Sequence, residues 1–219
     1  MWWFLLACSL GPSGPSPAEK VEVPPCEQGD LDACWRLAVA YQFGNGGTTI
    51  DLDKARAGYE KGCDAGHATS CNDLAVMHAT AAGVPKDEAK AAALYDQACT
   101  LGDAMACANL GAFASDGVGI PQDIARAEAL YQRSCTLGDA SGCRDLAMNY
   151  ATGEGWMRRP DEAFRLLSKG CEAAHAQSCA DLGYLHMKGI GTEPDMDKAK
   201  ELFRKGCDMG YDHACGFGG

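Results

Sequence analysis

Basic charge is scarce in this chain. Nineteen Lys and Arg stand against 30 Asp and Glu, for a formal net charge of −11. Such a surface repels phosphate backbones and anionic headgroups, which sets aside nucleic acid as a partner. Long apolar runs are also missing: no stretch is long and apolar enough to span a bilayer. No C-x-x-C occurs and the five histidines are scattered, so no zinc frame recurs. There is no S-x-x-K and no K-T-G, and Ser115-Asp116-Gly117 is only faintly like S-D-N, so the motifs of a serine acyl-transfer site are absent. No metal and no cofactor is expected. The hydrophobic share is 47%, ample for a core, and it leans on alanine, which suits closely packed helices.

Cysteine, by contrast, is abundant: 13 in 219 residues. Twelve form six pairs of one spacing, C-x7-C: Cys26/Cys34, Cys63/Cys71, Cys99/Cys107, Cys135/Cys143, Cys171/Cys179 and Cys207/Cys215. Successive pairs begin 37, 36, 36, 36 and 36 residues apart. A fixed period of this size marks a stacked helical array. Paired cysteines at fixed spacing read as disulfides and imply an oxidising compartment.

Each unit repeats the same positions. Three residues after the second cysteine stands Leu37, Leu74, Leu110, Leu146 or Leu182, followed by Ala or Gly. Three further on come Tyr41, His78, Ala114, Tyr150 and His186, which places one face of a short first helix. A Gly-containing loop follows, such as Gly117-Val118-Gly119, and glycine there ends the helix in the left-handed conformation. The second helix opens at Asp53-Lys54-Ala55 and its counterparts and buries Leu94-Tyr95, Leu130-Tyr131, Leu166-Leu167 and Leu202-Phe203, with Gly58-Tyr59 as the weak copy. It ends near Gly66, Gly102, Gly138 or Gly210, and Asp30, Asp103 and Asp139 then stand at the N-cap of the next helix. The first cysteine therefore lies in the last turn of one helix and the second in the first turn of the next, so a tight αα turn pairs nearest neighbours. The expectation is an all-α solenoid of five helix-turn-helix repeats, about ten antiparallel helices, stapled by six disulfides.

These residues carry a resemblance. Ala108-Asn109-Leu110-Gly111, Gly117-Val118-Gly119, Asp123, Ala125-Arg126-Ala127, Leu130-Tyr131 and Gly138 resemble the Sel-one-like repeat, a relative of the tetratricopeptide repeat. The paired cysteines resemble its bacterial secreted, cysteine-rich branch. The resemblance covers 26–215 and implies a right-handed superhelix whose concave face holds a protein or peptide. Some cysteine-rich members carry a β-lactamase or penicillin-binding label, which implies a β-lactam hydrolase as the alternative to a non-enzymatic binding scaffold. The scaffold is the expected function, as a monomer in the secreted or periplasmic space.

The remaining residues fall outside or on the rim of this frame. Leu5-Leu6-Ala7-Cys8 resembles a bacterial lipobox, which would lipidate Cys8 and tether the chain to a membrane, as in an outer-membrane lipoprotein. No basic residue precedes it and the apolar run is short, so the opposing reading is a free secreted protein whose signal lies upstream. Residues 9–25, rich in Pro, Ser and Gly, then form an extended tether, and 26–219 the repeat domain. Asp73, Asn109, Asp145 and Asp181 precede the repeated leucine and stack into a partly acidic ladder, either a groove for a basic or extended partner or a solvated acidic face. Trp35 is a further candidate contact, as is Trp156 with Met157 in a loop beside Arg158-Arg159; the alternative is that such residues seal gaps between repeats. His67 and His175 replace the capping aspartate and read as poor caps, and His78 and His186 as half-buried structural residues.

Overall fold

A computed structural model describes residues 29–153 and 155–217. Among them, ten helices of 13 residues form five pairs: α1 (Leu31–Phe43) with α2 (Leu52–Asp64), α3 (Ala68–Thr80) with α4 (Glu88–Thr100), and α5 (Ala104–Asp116) with α6 (Ile124–Thr136). Then come α7 (Ala140–Thr152) with α8 (Pro160–Glu172), and α9 (Ala176–Lys188) with α10 (Met196–Asp208). One last turn, α11 (Asp212–Cys215), closes the described array.

Local chemistry sets these lengths. Four of the even-numbered helices begin on Asp51, Asp87, Asp123 and Asp195, whose carboxylates accept the N–H three residues on at 2.8–3.0 Å. These helices therefore start at Leu52 and its counterparts, one residue ahead of the expected opening at Asp53-Lys54-Ala55. In α8 the cap is Arg159, without a capping bond, and Pro160 at the first helical position supplies the fixed φ instead. The odd-numbered helices end on left-handed residues, Gly44, Gly117, Gly153 and Gly189, with Ala81 adopting the same conformation at φ 60°.

The cysteines lie where the spacing put them, but the described disulfides number five rather than the six expected. They are Cys63–Cys71, Cys99–Cys107, Cys135–Cys143, Cys171–Cys179 and Cys207–Cys215. Each joins the end of an even helix to the start of the next odd one, with Cα atoms 4.5–4.8 Å apart. Their surroundings differ. Cys171 and Cys179 are buried, as are the two bridges before α6, whereas Cys135 and Cys143 are half-buried beside a shallow apolar hollow at the α6–α7 junction. Cys26, the expected partner of Cys34 in a sixth bridge, lies outside the described residues, as do Cys8 and the tether at 9–25.

Between the two layers runs a core of small and aromatic residues. Ala55, Ala91, Ala127, Ala163 and Ala199 are fully buried, and beside them Tyr59, Tyr95, Tyr131, Leu167 and Phe203 fill the same slot in each unit. The small residue after each leucine makes room for them: a Cβ on Gly111 would stand 3.2 Å from the Tyr131 ring. Gly58, the weak copy, turns out to be required, because a Cβ there would come within 2.8 Å of Ala38 Cβ while Tyr59 packs as deeply as its counterparts. Successive units also touch directly through their odd helices, α3 on α5, α5 on α7 and α7 on α9. That closer spacing makes the odd helices the inner, concave layer.

Candidate binding face

Each odd helix from α1 to α9 carries two adjacent residues at equivalent positions on this inner layer. The first of the two is Trp35, Asn72, Ala108, Arg144 and Ala180; the second is Arg36, Asp73, Asn109, Asp145 and Asp181. In three of the four steps the first residue of one unit bonds the second residue of the next. Trp35 donates its indole N–H to Asp73 at 2.7 Å, Asn109 donates its amide to Asn72 at 3.1 Å, and Arg144 donates to Asp181. Asn72 also donates to Asp73 at 3.2 Å. The acidic ladder expected from the sequence is therefore a set of bonds between repeats. Trp35, expected as a partner contact, is half-buried and holds the first of these bonds.

Burial dominates the electrostatics here. It pushes the carboxyls of Asp73, Asp145 and Asp181 above the usual carboxylate range. Hydrogen bonds from Trp35 and Asn72 pull Asp73 back, and the Arg144 guanidinium pulls back both Asp145 and Asp181. One cation thus serves two carboxylates, its Nη1 lying 3.3 Å from Asp145.

One turn further along the same face stand Val39, Val76, Ala112, Met148 and Tyr184, all half-buried. At the α11 end they open into an apolar cleft of about 490 Å³ lined by Met148, Tyr184, Met187, Phe203, Tyr211 and Phe217, with Asp181 and Lys188 as charged members of the lining.

Trp156 is not on this face, which corrects its expected role. It is only 7% exposed and packs against Tyr131 and Tyr150, with its indole N–H directed at the Ser115 hydroxyl 3.4 Å away. The signal is present in the sequence: Trp156 follows the last loop glycine, as Val84 and Ile120 do, and both of those pack on the core. It seals one repeat against the next. Met157 beside it is exposed, while Arg158 donates to the Ala151 carbonyl and Arg159 pairs with Glu128 at 2.9 Å.

The histidines divide three ways. His67 stands at the N-cap of α3 as expected: its Nδ1 accepts the Ser70 N–H at 3.3 Å, and its Nε2 faces Asp32 at 3.1 Å. His175 has no such backbone bond, and its Nδ1 lies 2.8 Å from the Ser178 hydroxyl. His78 is buried with neither ring nitrogen hydrogen-bonded, and His186 stacks edge-on against Phe164. Among the described residues, no three His, Cys, Asp or Glu side chains come together as a metal-holding group.

Known proteins share this architecture. A Sel1 repeat protein from Oxalobacter formigenes is 25% identical, over 84% of this chain and 75% of that one, with a TM-score of 0.77. The protective antigen c5321 of uropathogenic Escherichia coli is 23% identical with a TM-score of 0.73, and the match covers 84% of this chain but only 39% of the antigen. The cysteine-rich protein B of Helicobacter pylori is 29% identical over 60% of this chain and 94% of its own, with a TM-score of 0.46. No curated protein matches the chain. The Sel1 repeat itself matches residues 1–12, 31–67, 68–103, 104–139, 140–175 and 176–211, and with that coverage the chain belongs to the Sel1 repeat family.

Proposed function

We propose that this chain is a non-enzymatic scaffold that holds a protein or peptide on its odd-helix face. Sel1 repeats are protein-interaction modules, and the observation that carries the reading here is the cleft at the α11 end. It is apolar and open: Phe203, Ala180 and Ala214 form its buried floor, while Met148, Tyr184, Met187, Tyr211 and Phe217 stay partly or fully exposed around it. Apolar surface left open with a polar rim marks an interaction site.

The same reading places the scaffold in the cell envelope or secreted space, supported by disulfides at five repeat junctions. It includes a lipid tether at Cys8, with 9–25 as the leash. Mass spectrometry of the mature N-terminus checks the tether: acylated Cys8 supports it, and an unmodified Cys8 removes it.

The binding face is tested by site-specific photo-crosslinking in the native host. A photoreactive residue at exposed Thr152, on α7, should yield a discrete crosslinked species, and one at exposed Lys200, on α10, should not. Crosslinks at Lys200 alone, or at neither position, would refute the assignment.

A further inference from the structure

The ladder of bonds between repeats has one empty rung. Three of its four steps contain a donor facing an acceptor, from Trp35, Asn109 and Arg144. In the remaining step the repeat register puts Ala108 in the place held by Trp35, Asn72 and Arg144 opposite Asp145, and a methyl group has nothing to donate. Asp145 is left with Arg144, through a guanidinium already committed to Asp181, and with the His175 imidazole that both carboxylates share. The consequence is visible in exposure: the Asp145 side chain is 41% accessible and that of Asp181 only 15%. One cation against two carboxylates leaves one negative charge uncompensated at this step. Met148, which lines the apolar cleft, stands one turn from Asp145 on the same face of α7.

We propose that the partner supplies the missing donor: a lysine or arginine side chain enters beside Ala108 and pairs with Asp145, while an apolar side chain next to it lodges in the cleft. This rests on the reading of the odd-helix face as the binding face, and it names the chemistry recognised there. Charge complementarity favours it at two ranges. Locally, a cation restores the pairing that Trp35 and Arg144 provide to carboxylates in other steps, at a carboxylate that burial already disfavours as a lone charge. At longer range, the net charge of −11 steers cationic segments toward the chain. The spacing follows from helix geometry. Asp145 and Met148 are separated by about 4.5 Å along the axis at 1.5 Å per residue, so the basic and apolar residues of an extended partner lie within two positions of each other. Lys188, in the cleft lining, discourages a second cation there.

The test is selection of a random twelve-residue phage-displayed library on the purified, oxidised chain, followed by titration of the enriched peptides. Enriched peptides should carry Lys or Arg within two positions of an aromatic or large aliphatic residue. They should bind Asp145→Asn and Ala108→Asn at least tenfold more weakly. Ala108→Asn fills the rung from inside and copies the residue at Asn72, so it keeps the fold where Asp145→Asn releases Arg144; circular dichroism verifies both. Enriched peptides without a basic residue, or unchanged affinity in both variants, overturn the rung proposal and leave the binding face standing. No enrichment on the unmodified chain overturns both.

Discussion

The disulfide at the centre of the array gives the sharpest test of what holds it together. Cys99 and Cys107 are 2% and 0% exposed and link the end of α4 to the start of α5. The ring closes at a sequence separation of 8. Treated as loop closure in the unfolded chain, a ring of about nine residues removes roughly 8.7 cal/mol/K, or about 2.6 kcal/mol at 25 °C. The double substitution Cys99→Ala/Cys107→Ala should therefore lower the unfolding free energy by about 2.6 kcal/mol, a fall in Tm of about 5–10 °C for a chain of this size. Cys207–Cys215 closes a ring of the same size, but Cys215 is exposed and the link only secures the single turn of α11. Its removal should fray that turn and leave the main transition in place, because stability in a repeat array propagates through neighbouring interfaces. Urea unfolding followed by far-ultraviolet circular dichroism separates the two. A cost below about 1 kcal/mol for the central pair would show that the ring does not restrain the unfolded chain as argued, and equal costs for both pairs would refute the role assigned to position in the array.

Trp156→Ala should cost about 3–5 kcal/mol by calorimetry, as for a buried aromatic, and Met157→Ala less than about 0.5 kcal/mol; the reverse order would return Trp156 to the surface. Gly119→Ala should destabilise the chain by more than about 2 kcal/mol, because its left-handed φ is compounded by a Cβ placed 2.3 Å from the Glu88 carbonyl oxygen. Gly155→Ala, with a similar φ and open space around it, should cost only about 1 kcal/mol, and thermal melts of the two compare them directly. His78→Tyr, which installs the residue found at Tyr41 and Tyr150, should remove an acid-sensitive part of stability. Burial, aided by Lys90 and opposed by Asp87 and Glu60, holds the His78 imidazole below its ordinary 6.5. The unfolded chain therefore takes the proton first, and stability is lost as pH falls through 6.5 toward the depressed value. An identical change in Tm between pH 7 and pH 5 in both proteins would show that His78 contributes nothing to it.

The part of the molecule legible in the sequence is the part made by contacts close along the chain. Helix lengths follow from capping aspartates and left-handed glycines within a few residues of each end. The cysteines meet because a two-turn junction holds them together whatever else the chain does, so Cys135–Cys143 and Cys171–Cys179 form the same bridge in different surroundings. The period itself, written in leucines, alanines and cysteines, gives the stacking. For Trp156 the sequence leaves surface contact and gap seal both open, and only the loop folded back onto Tyr131 and Tyr150 decides for the seal. The N-cap position of His67 and His175 is legible, but that only His67 makes the capping bond is decided by how its ring turns to the Ser70 N–H and Asp32 together.

The ladder shows the division most clearly. Aligning the repeats displays Asp73, Asn109, Asp145 and Asp181 in a column, and the chain alone determines that. Which atoms meet depends on how far one helix pair is shifted against the next, a register set by the packing of Leu, Ala and Tyr between layers. That register joins Trp35 to Asp73 and Arg144 to Asp181, 38 and 37 residues apart, and leaves Ala108 opposite Asp145 with nothing to give. Only the tertiary structure decides this, because a hydrogen bond needs two groups within about 3 Å of each other, and residues a full repeat apart reach that distance through packing alone.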